Sequence, residues 1–153
     1  MVDIAEIPNK FIKFFNKHGW EYRHHEELHV LKATTEELPM MEVGVVYSET
    51  GFLTIFELPL KIEEDTKTET LEYVIRVNLD IDIGTFKIDL SNGTIIFTSY
   101  TNTTDIKTIP EAFVIQSMVG LMGPIVQFIP GLYAVITGES DAETAYRKVS
   151  DEE

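Results

Sequence analysis

The chain has 153 residues and a formal net charge of -14, and 44% of its residues are hydrophobic. These values predict a single globular domain over residues 1–153 with a buried core. The acidic charge disfavours nucleic acid and anionic membrane surfaces as partners, because binding to phosphate depends on Lys and Arg. It serves either solubility or an acidic partner-binding face.

The chain contains no cysteine, which excludes disulfides, thiolate nucleophiles and thiolate metal ligands. Its first residues, MVDIAEIPNK, lack the basic start and apolar core of a signal peptide. A reducing compartment suits a cysteine-free chain. We therefore expect a cytoplasmic protein.

A short amphipathic helix is predicted between Pro8 and Gly19, since Phe11, Phe14 and Phe15 recur at helical spacing. Trp20 and Tyr22 then begin a first strand. Residues 23–40 are hard to assign from the sequence, and a second strand around 28–33 is one option.

Two strands, Glu42 to Tyr47 and Phe52 to Leu58, form a predicted hairpin. The second is apolar on both faces, which indicates a central strand or one that faces a second buried layer. Pro59 is expected to end it.

The stretch from Leu71 to Tyr100 predicts a helix followed by a hairpin. Thr66 and Glu69 match a capping box ahead of the helix. Asn92-Gly93 is the dipeptide preferred in two-residue hairpin turns, here between strands 86–90 and 95–100. The predicted buried stripe includes an asparagine that needs hydrogen-bond partners; its members are Leu71, Val74, Ile75, Asn78 and Leu79.

The segment from Ala112 to Thr137 carries no charged residue and is long enough to span a membrane. Pro124, Pro130 and the acidic flanks Glu111 and Glu139 argue against a span. A buried helix, or a helix pair broken between the two prolines, is the favoured interpretation.

Two further capping boxes follow the same pattern, Thr108 to Glu111 and Ser140 to Glu143. The second opens a last helix with Ala142, Ala145, Tyr146 and Val149 inward, and the tail 150–153 is expected to fray. The elements together predict an α+β domain with an antiparallel sheet of about five strands flanked by helices, in the order α-β-β-β-α-β-β-α-α.

The most specific chemical motif is His25-Glu26-Glu27-Leu28-His29, which matches H-E-x-x-H. On a helix the two histidines would bind one zinc ion and Glu26 would activate water. The neighbourhood favours strand or loop, where residues four apart lie roughly 13 Å from each other. Surface metal binding by His24, His25 and His29, or a solvated polar segment, are the alternatives.

Other catalytic and binding motifs are lacking. Asp80 and Asp82 are followed by Gly84, but the remaining ligand positions of a calcium loop are missing. No Gly-x-Ser-x-Gly, P-loop or Gly-x-Gly-x-x-Gly sequence occurs. We therefore assign no catalytic, cofactor-binding or metal-binding residue and expect no cofactor.

Several short motifs resemble the YbjN family, which is described as putative bacterial sensory-transduction regulators with a fold like that of type III secretion chaperones. They are Gly19-Trp20-Glu21-Tyr22, Val77-Asn78-Leu79, Gly84-Thr85-Phe86, residues 89–93, and Gly138-Glu139-Ser140 with Glu143 and Ala145. The resemblance implies a non-enzymatic cytoplasmic homodimer that binds another polypeptide or acts in regulation.

The leading hypothesis is therefore a protein-binding or regulatory domain, chaperone-like in its mode of action. It is expected to dimerise through apolar surface on residues 112–137 or on the helix that begins near Leu71. The alternative is a zinc metallohydrolase that uses His25, Glu26 and His29.

Overall fold

A computed structural model describes residues 2–38 and 40–150, and the predicted tail residues 151–153 lie outside this part. Ten main elements follow one another along it: α1 (Glu6–His18), β1 (Glu21–His25), β2 (Val30–Thr34), β3 (Glu42–Ser48), β4 (Gly51–Lys61), α2 (Lys67–Asp80), β5 (Thr85–Asp89), β6 (Thr94–Asn102), α3 (Glu111–Ile136) and α4 (Ala142–Ser150).

The strands form one antiparallel sheet in the order β1-β2-β3-β4-β6-β5. This confirms the predicted α+β class, with six strands rather than about five. The additional strand, β2, lies in the segment that was hard to assign, and it confirms the option of a strand around 28–33.

The helices cover one face of the sheet. The sheet side chains that are most deeply buried all point to that face, among them Leu31, Val43, Val45, Phe52, Phe56, Ile95 and Phe97. Helix α1 packs there through Phe11, whose ring meets that of Phe52 edge-on at 5.1 Å. The predicted helix end at Gly19 is confirmed, since this residue has φ 73° and its amide bonds to the Phe15 carbonyl.

Strand β4 is central, as its two-sided apolar pattern predicted, and lies between β3 and β6. The prediction that Pro59 ends this strand is wrong. The register shifts between Glu57 and Lys61, and pairing resumes where Lys61 meets Thr94. A bulge tolerates a residue without an amide hydrogen, so the strand continues past the proline.

The predicted buried stripe of α2 is only partly right. Thr70, Tyr73, Val74 and Val77 are buried, whereas Ile75 and Leu79 are 71% and 86% exposed. The predicted positions and the buried ones both repeat at helical spacing. Periodicity therefore predicts the helix but not which of its sides faces the core.

Two of the three predicted capping boxes do not cap the helix that follows them. The Thr66 hydroxyl donates to the Ile136 carbonyl at 2.8 Å, and the Glu69 carboxylate accepts the Ala142 amide at 2.7 Å. These side chains therefore tie α2 to the end of α3 and the start of α4. Helix α3 begins at Glu111 with no side-chain cap, so the box predicted from Thr108 is wrong.

The cap of α4 is shifted by one residue from the prediction. The Asp141 carboxylate, rather than the Ser140 hydroxyl, accepts the Thr144 amide at 2.7 Å. This hydrogen bond is the main reason that the pKa of Asp141 is lowered. Ala142, Ala145 and Val149 are buried as predicted, and Tyr146 is half-buried.

Asn78 has the hydrogen-bond partners that its position demanded. Its amide nitrogen donates to the Phe86 carbonyl at 3.0 Å, and its oxygen accepts the Phe86 amide at 2.8 Å. The following hairpin turns over four residues, 90–93, instead of the predicted two. The Asp89 carboxylate accepts the Ser91 amide at 2.9 Å and thereby holds the longer turn.

Candidate protein-binding surface on helix α3

Helix α3 runs without a break from Glu111 to Ile136 and continues through Pro124 and Pro130. A π-helical turn at Gln116–Gly120 interrupts its α-helical geometry. Its 26 residues correspond to a length of about 39 Å. The prediction of one helix is thus confirmed, and the alternative of a pair broken between the prolines is wrong.

The inner side of α3 is fixed to the rest of the protein. Leu121, Ile125 and Leu132 are at most 1% exposed. The buried Tyr73 hydroxyl donates to the Phe128 carbonyl at 2.7 Å, and its burial raises the pKa of Tyr73. Gly131 makes room for this contact, because a Cβ there would lie 2.3 Å from the tyrosine oxygen.

The outer side of α3 carries an apolar row of side chains, which we call the α3 seam: Ala112, Ile115, Val119, Met122, Val126, Ile129 and Tyr133. Successive members are three and four residues apart. An apolar repeat of this kind, 3.5 residues on average, is typical of helices that pair with another helix.

Most of the α3 seam is open to solvent. Val126 is 64% exposed, Tyr133 51% and Val119 50%, whereas Met122 and Ile129 are half-buried and pack against the core. The prediction of a buried helix is therefore right for one side of α3 and wrong for the other. Exposed, contiguous apolar surface of this kind marks sites of interaction.

No charge interrupts the outer side of this helix. The exposed neighbours of the α3 seam are Gln116, Gly123, Gln127 and Pro130, and the nearest acidic residues in sequence are Glu111 and Glu139. By length and composition, this is the one helix among the described residues that could cross a membrane. Core helices of soluble proteins meet the same criterion.

The uncovered face of the sheet differs from the α3 seam in its charges. We call this surface the outer sheet face; it includes Val46, Leu53, Ile55 and Ile96 together with Arg23, Lys32, Glu42, Glu57 and Lys87. The Glu42 carboxylate lies 3.6 Å from the Arg23 guanidinium and 3.7 Å from the Lys32 ammonium. The apolar residues here are thus flanked by ion pairs.

The second surface that the sequence proposed for dimerisation, on α2, is small. Ile75 and Leu79 are exposed on it, and Leu71 is half-buried. Beside them lies the ion pair of Arg76 and Glu72 at 3.2 Å. The α2 surface therefore offers a shorter and more polar contact than the α3 seam.

The H-E-x-x-H motif does not form the α-helical turn that would bring its two histidines to one zinc ion. His25 ends β1, residues 26–28 form a single 3-10 turn, and His29 has a left-handed backbone with φ 55°. The sequence-based expectation of strand or loop is confirmed. Within residues 2–38 and 40–150, no three His, Asp or Glu residues are grouped so that they could hold a metal ion.

Tyr47 contacts two of the histidines that the sequence singled out. Its hydroxyl lies 2.7 Å from His24 Nε2, and its ring stacks on that of His29 with centroids 5.1 Å apart. Burial, followed by the charge of Glu26, raises the pKa of Tyr47. Strand β2 lies between β1, which carries His24, and β3, which carries Tyr47, and His29 directly precedes β2. This strand order, which the sequence did not predict, brings the tyrosine to both histidines.

The two carboxylates considered for a calcium loop differ in their surroundings. Asp80 accepts a hydrogen bond from the Tyr146 hydroxyl at 2.5 Å, which raises the pKa of Tyr146. Asp82 lies after the end of α2, two residues before the left-handed Gly84. Asp80 thus contributes to the packing of α4 against α2.

Neither a protein-family model nor a curated protein sequence matches the chain. The similarity to the YbjN family therefore depends on the short motifs alone and stays a prediction. Sequence reasoning singled out residues 112–137 for their lack of charge, but it did not identify the α3 seam. When nearly every position of a helix is apolar, composition does not tell the buried side from the exposed one.

Proposed function

We propose that this protein is a non-enzymatic, cytoplasmic protein-binding or regulatory domain, and that the α3 seam is its binding surface. One observation carries this proposal: an exposed apolar row at helix-pairing spacing, without charge, on a chain whose net charge is -14. Covering the row with a partner removes apolar surface from water and leaves no charged group to be desolvated.

A protein partner fits the α3 seam better than a lipid bilayer does. The inner side of α3 is held by the Tyr73 hydroxyl, and on the flank of the helix the exposed Gln127 amide donates to the Val149 carbonyl at 3.4 Å. Insertion into a membrane would pull core residues out of the domain. The acidic flanks Glu111 and Glu139 also lack the positive charge that favours a membrane surface.

The surroundings of the histidines bear on the alternative function, a zinc metallohydrolase. His24 and His29 contact Tyr47, whereas His25 points to the outer sheet face, where it lies opposite Val30. The separation of the two motif histidines favours a structural role for them over a zinc-dependent hydrolase. A regulatory or chaperone-like role is what the resemblance to the YbjN family implies.

Site-specific photo-crosslinking in the native cell tests the proposal. A photoreactive residue in place of Val126 lies in the α3 seam, and one in place of Val46 on the outer sheet face is the matched control. We expect protein adducts, identified by mass spectrometry, from position 126 and few from position 46. Lipid adducts at 126, or the same protein adducts at both positions, would overturn the proposal.

A further inference from the structure

We propose that the partner of the α3 seam is the α3 seam of a second copy, with the two helices antiparallel across a two-fold axis. This inference rests on the proposed function and goes beyond it by naming the partner and its orientation. In a two-fold dimer the same patch is used by both subunits, so the patch must complement itself. Shape, charge and spacing each bear on that requirement.

Charge restricts where two copies of this chain meet. Two bodies that each carry a net charge of -14 repel one another, and the cost is greatest where acidic side chains face each other or lose water. The outer side of α3 presents no charge from Ala112 to Ile136. Contact there removes the apolar side chains from water and keeps the acidic surfaces of the two copies apart.

Charge at the two ends of α3 selects the antiparallel arrangement. Near its first turn lies a groove lined by Lys10, Lys13, Phe14, Lys17, Glu111 and Val114. The Lys17 ammonium approaches the Glu111 carboxylate to 3.9 Å. Beyond the last turn, by contrast, lie the exposed acids Glu139 and Asp141, whereas Glu143 is already paired with Arg147 at 2.6 Å.

An antiparallel pair therefore brings Lys10 and Lys13 of one copy towards Glu139 and Asp141 of the other, and it does so twice. A parallel pair would place lysines against lysines and acids against acids. Because such contacts lie at the rim and in water, they set orientation more than affinity.

Side-chain size supports the same arrangement. Tyr133 lies at one end of the α3 seam and Ala112 at the other, so antiparallel helices set the large residue of one copy opposite the small residue of its partner. Near the middle of the helix, Gly123 is exposed, and a Cβ built on it would meet nothing within 4 Å of its own chain. A glycine at this point lets two helices approach closely.

Spin labels provide the test, because the native chain has no cysteine that would have to be removed. Gln116→Cys and Thr137→Cys each introduce one exposed labelling site beside the α3 seam and outside it. In an antiparallel dimer centred near Gly123, the labels at 116 lie about 21 Å apart along the helix axis, from 1.5 Å of rise per residue. The labels at 137 lie about 42 Å apart by the same measure. Circular dichroism and sedimentation confirm that each variant folds and associates as the wild type does.

A shorter distance at 116 and a much longer distance at 137, measured by pulsed electron paramagnetic resonance, is the expected result. Short distances at both positions mean a parallel pair and overturn the orientation. If the protein stays monomeric over the whole concentration range, the proposal that its partner is a second copy is wrong. In that case, photo-crosslinks from position 126 to a different protein would still uphold the proposed function.

A charge exchange adds an independent readout. Lys13→Glu should weaken association, and Glu139→Lys in the same chain should restore it, because an antiparallel pair then regains opposite charges at both ends. Failure of the second substitution to restore association would contradict the antiparallel arrangement.

Discussion

The α3 seam and the outer sheet face both expose aliphatic side chains, yet they differ in what surrounds them. Val126 on the seam is 64% exposed and Val46 on the sheet is 39% exposed. Around Val126 the helix is uncharged for more than two turns in both directions, whereas the sheet carries the Glu42 ion pairs with Arg23 and Lys32. A partner that covered the sheet would have to desolvate or rearrange these charges.

The comparison shows that exposed apolar residues do not by themselves identify an interface. Isolated aliphatic side chains are common on protein surfaces and need no partner. The seam is distinguished by the length of its uncharged surface, by its helix-pairing repeat and by its rigid attachment on the inner side. The predictions below act on these features in turn.

Gly131→Ala should have the largest effect, because it disrupts the attachment of α3. A new methyl group would meet the Tyr73 oxygen at 2.3 Å, and overpacking of this kind costs about 3 kcal/mol. Urea denaturation at a fixed protein concentration measures the loss. Gly123→Ala is the control on the outer side of the same helix, where the methyl meets nothing in its own chain. Measured on the monomer, at protein concentrations below those at which the dimer forms, it should stabilise the helix by about 0.5–1 kcal/mol. Equal effects at the two glycines would contradict the assignment of inner and outer sides.

Asn78→Ala should weaken the support of the sheet edge. It removes both hydrogen bonds to the Phe86 backbone, at a cost of about 2 kcal/mol. The same denaturation experiment measures this change, and hydrogen exchange should show faster exchange of the Phe86 amide. Self-association should not change, since Asn78 lies away from the α3 seam. A loss of association without loss of stability would mean that α2 takes part in the interface.

Glu42→Gln should have a small effect on stability. Its ion pairs with Arg23 and Lys32 are exposed and longer than 3.5 Å, and pairs of this kind contribute less than about 1 kcal/mol. Thermal denaturation at low and high salt measures the change, which should shrink as salt rises. A large loss would indicate that the charges of the outer sheet face hold the domain together.

Asp141→Asn should leave the stability near neutral pH almost unchanged and reduce the loss of stability at acidic pH. The pKa of Asp141 is lowered in the fold by the hydrogen bond from the Thr144 amide. Its contribution is therefore present above the ordinary aspartate pKa of about 3.9 and is lost as the pH falls through the lower, folded-state pKa. Asparagine caps a helix as well as aspartate does and does not titrate.

The melting temperatures of both proteins, measured near neutral pH and below the ordinary aspartate pKa, check this prediction. The wild type should lose more stability on acidification than the variant. Equal losses would show that protonation of Asp141 does not weaken its cap hydrogen bond.

The sequence predicted those parts of the fold that local signals determine. The α1 phenylalanines with Gly19, the two hairpins and the need of Asn78 for hydrogen-bond partners each followed from a pattern within a few residues. The wrong predictions concern choices that depend on distant residues. Thr66 and Glu69 match a capping box, but Ile136 and Ala142 lie close enough to take their hydrogen bonds.

The candidate site shows the same limit. The lack of charge between Ala112 and Thr137 was visible in the sequence, and it led to the prediction of a largely buried helix. Which side of α3 is buried depends on where Tyr73 and α4 pack, and apolar residues occupy both sides. The α3 seam became recognisable only when the exposed fractions of its side chains were known.

Sedimentation equilibrium of three proteins tests the central claim most directly: the wild type, Val126→Glu in the α3 seam and Val46→Glu on the outer sheet face. Both substitutions place a carboxylate at an exposed valine, so they differ in the surface and not in the chemistry. We expect the wild type and Val46→Glu to form dimers of 17.4 kDa chains, and Val126→Glu to remain monomeric. A dimer that persists in Val126→Glu but is lost in Val46→Glu would contradict the account.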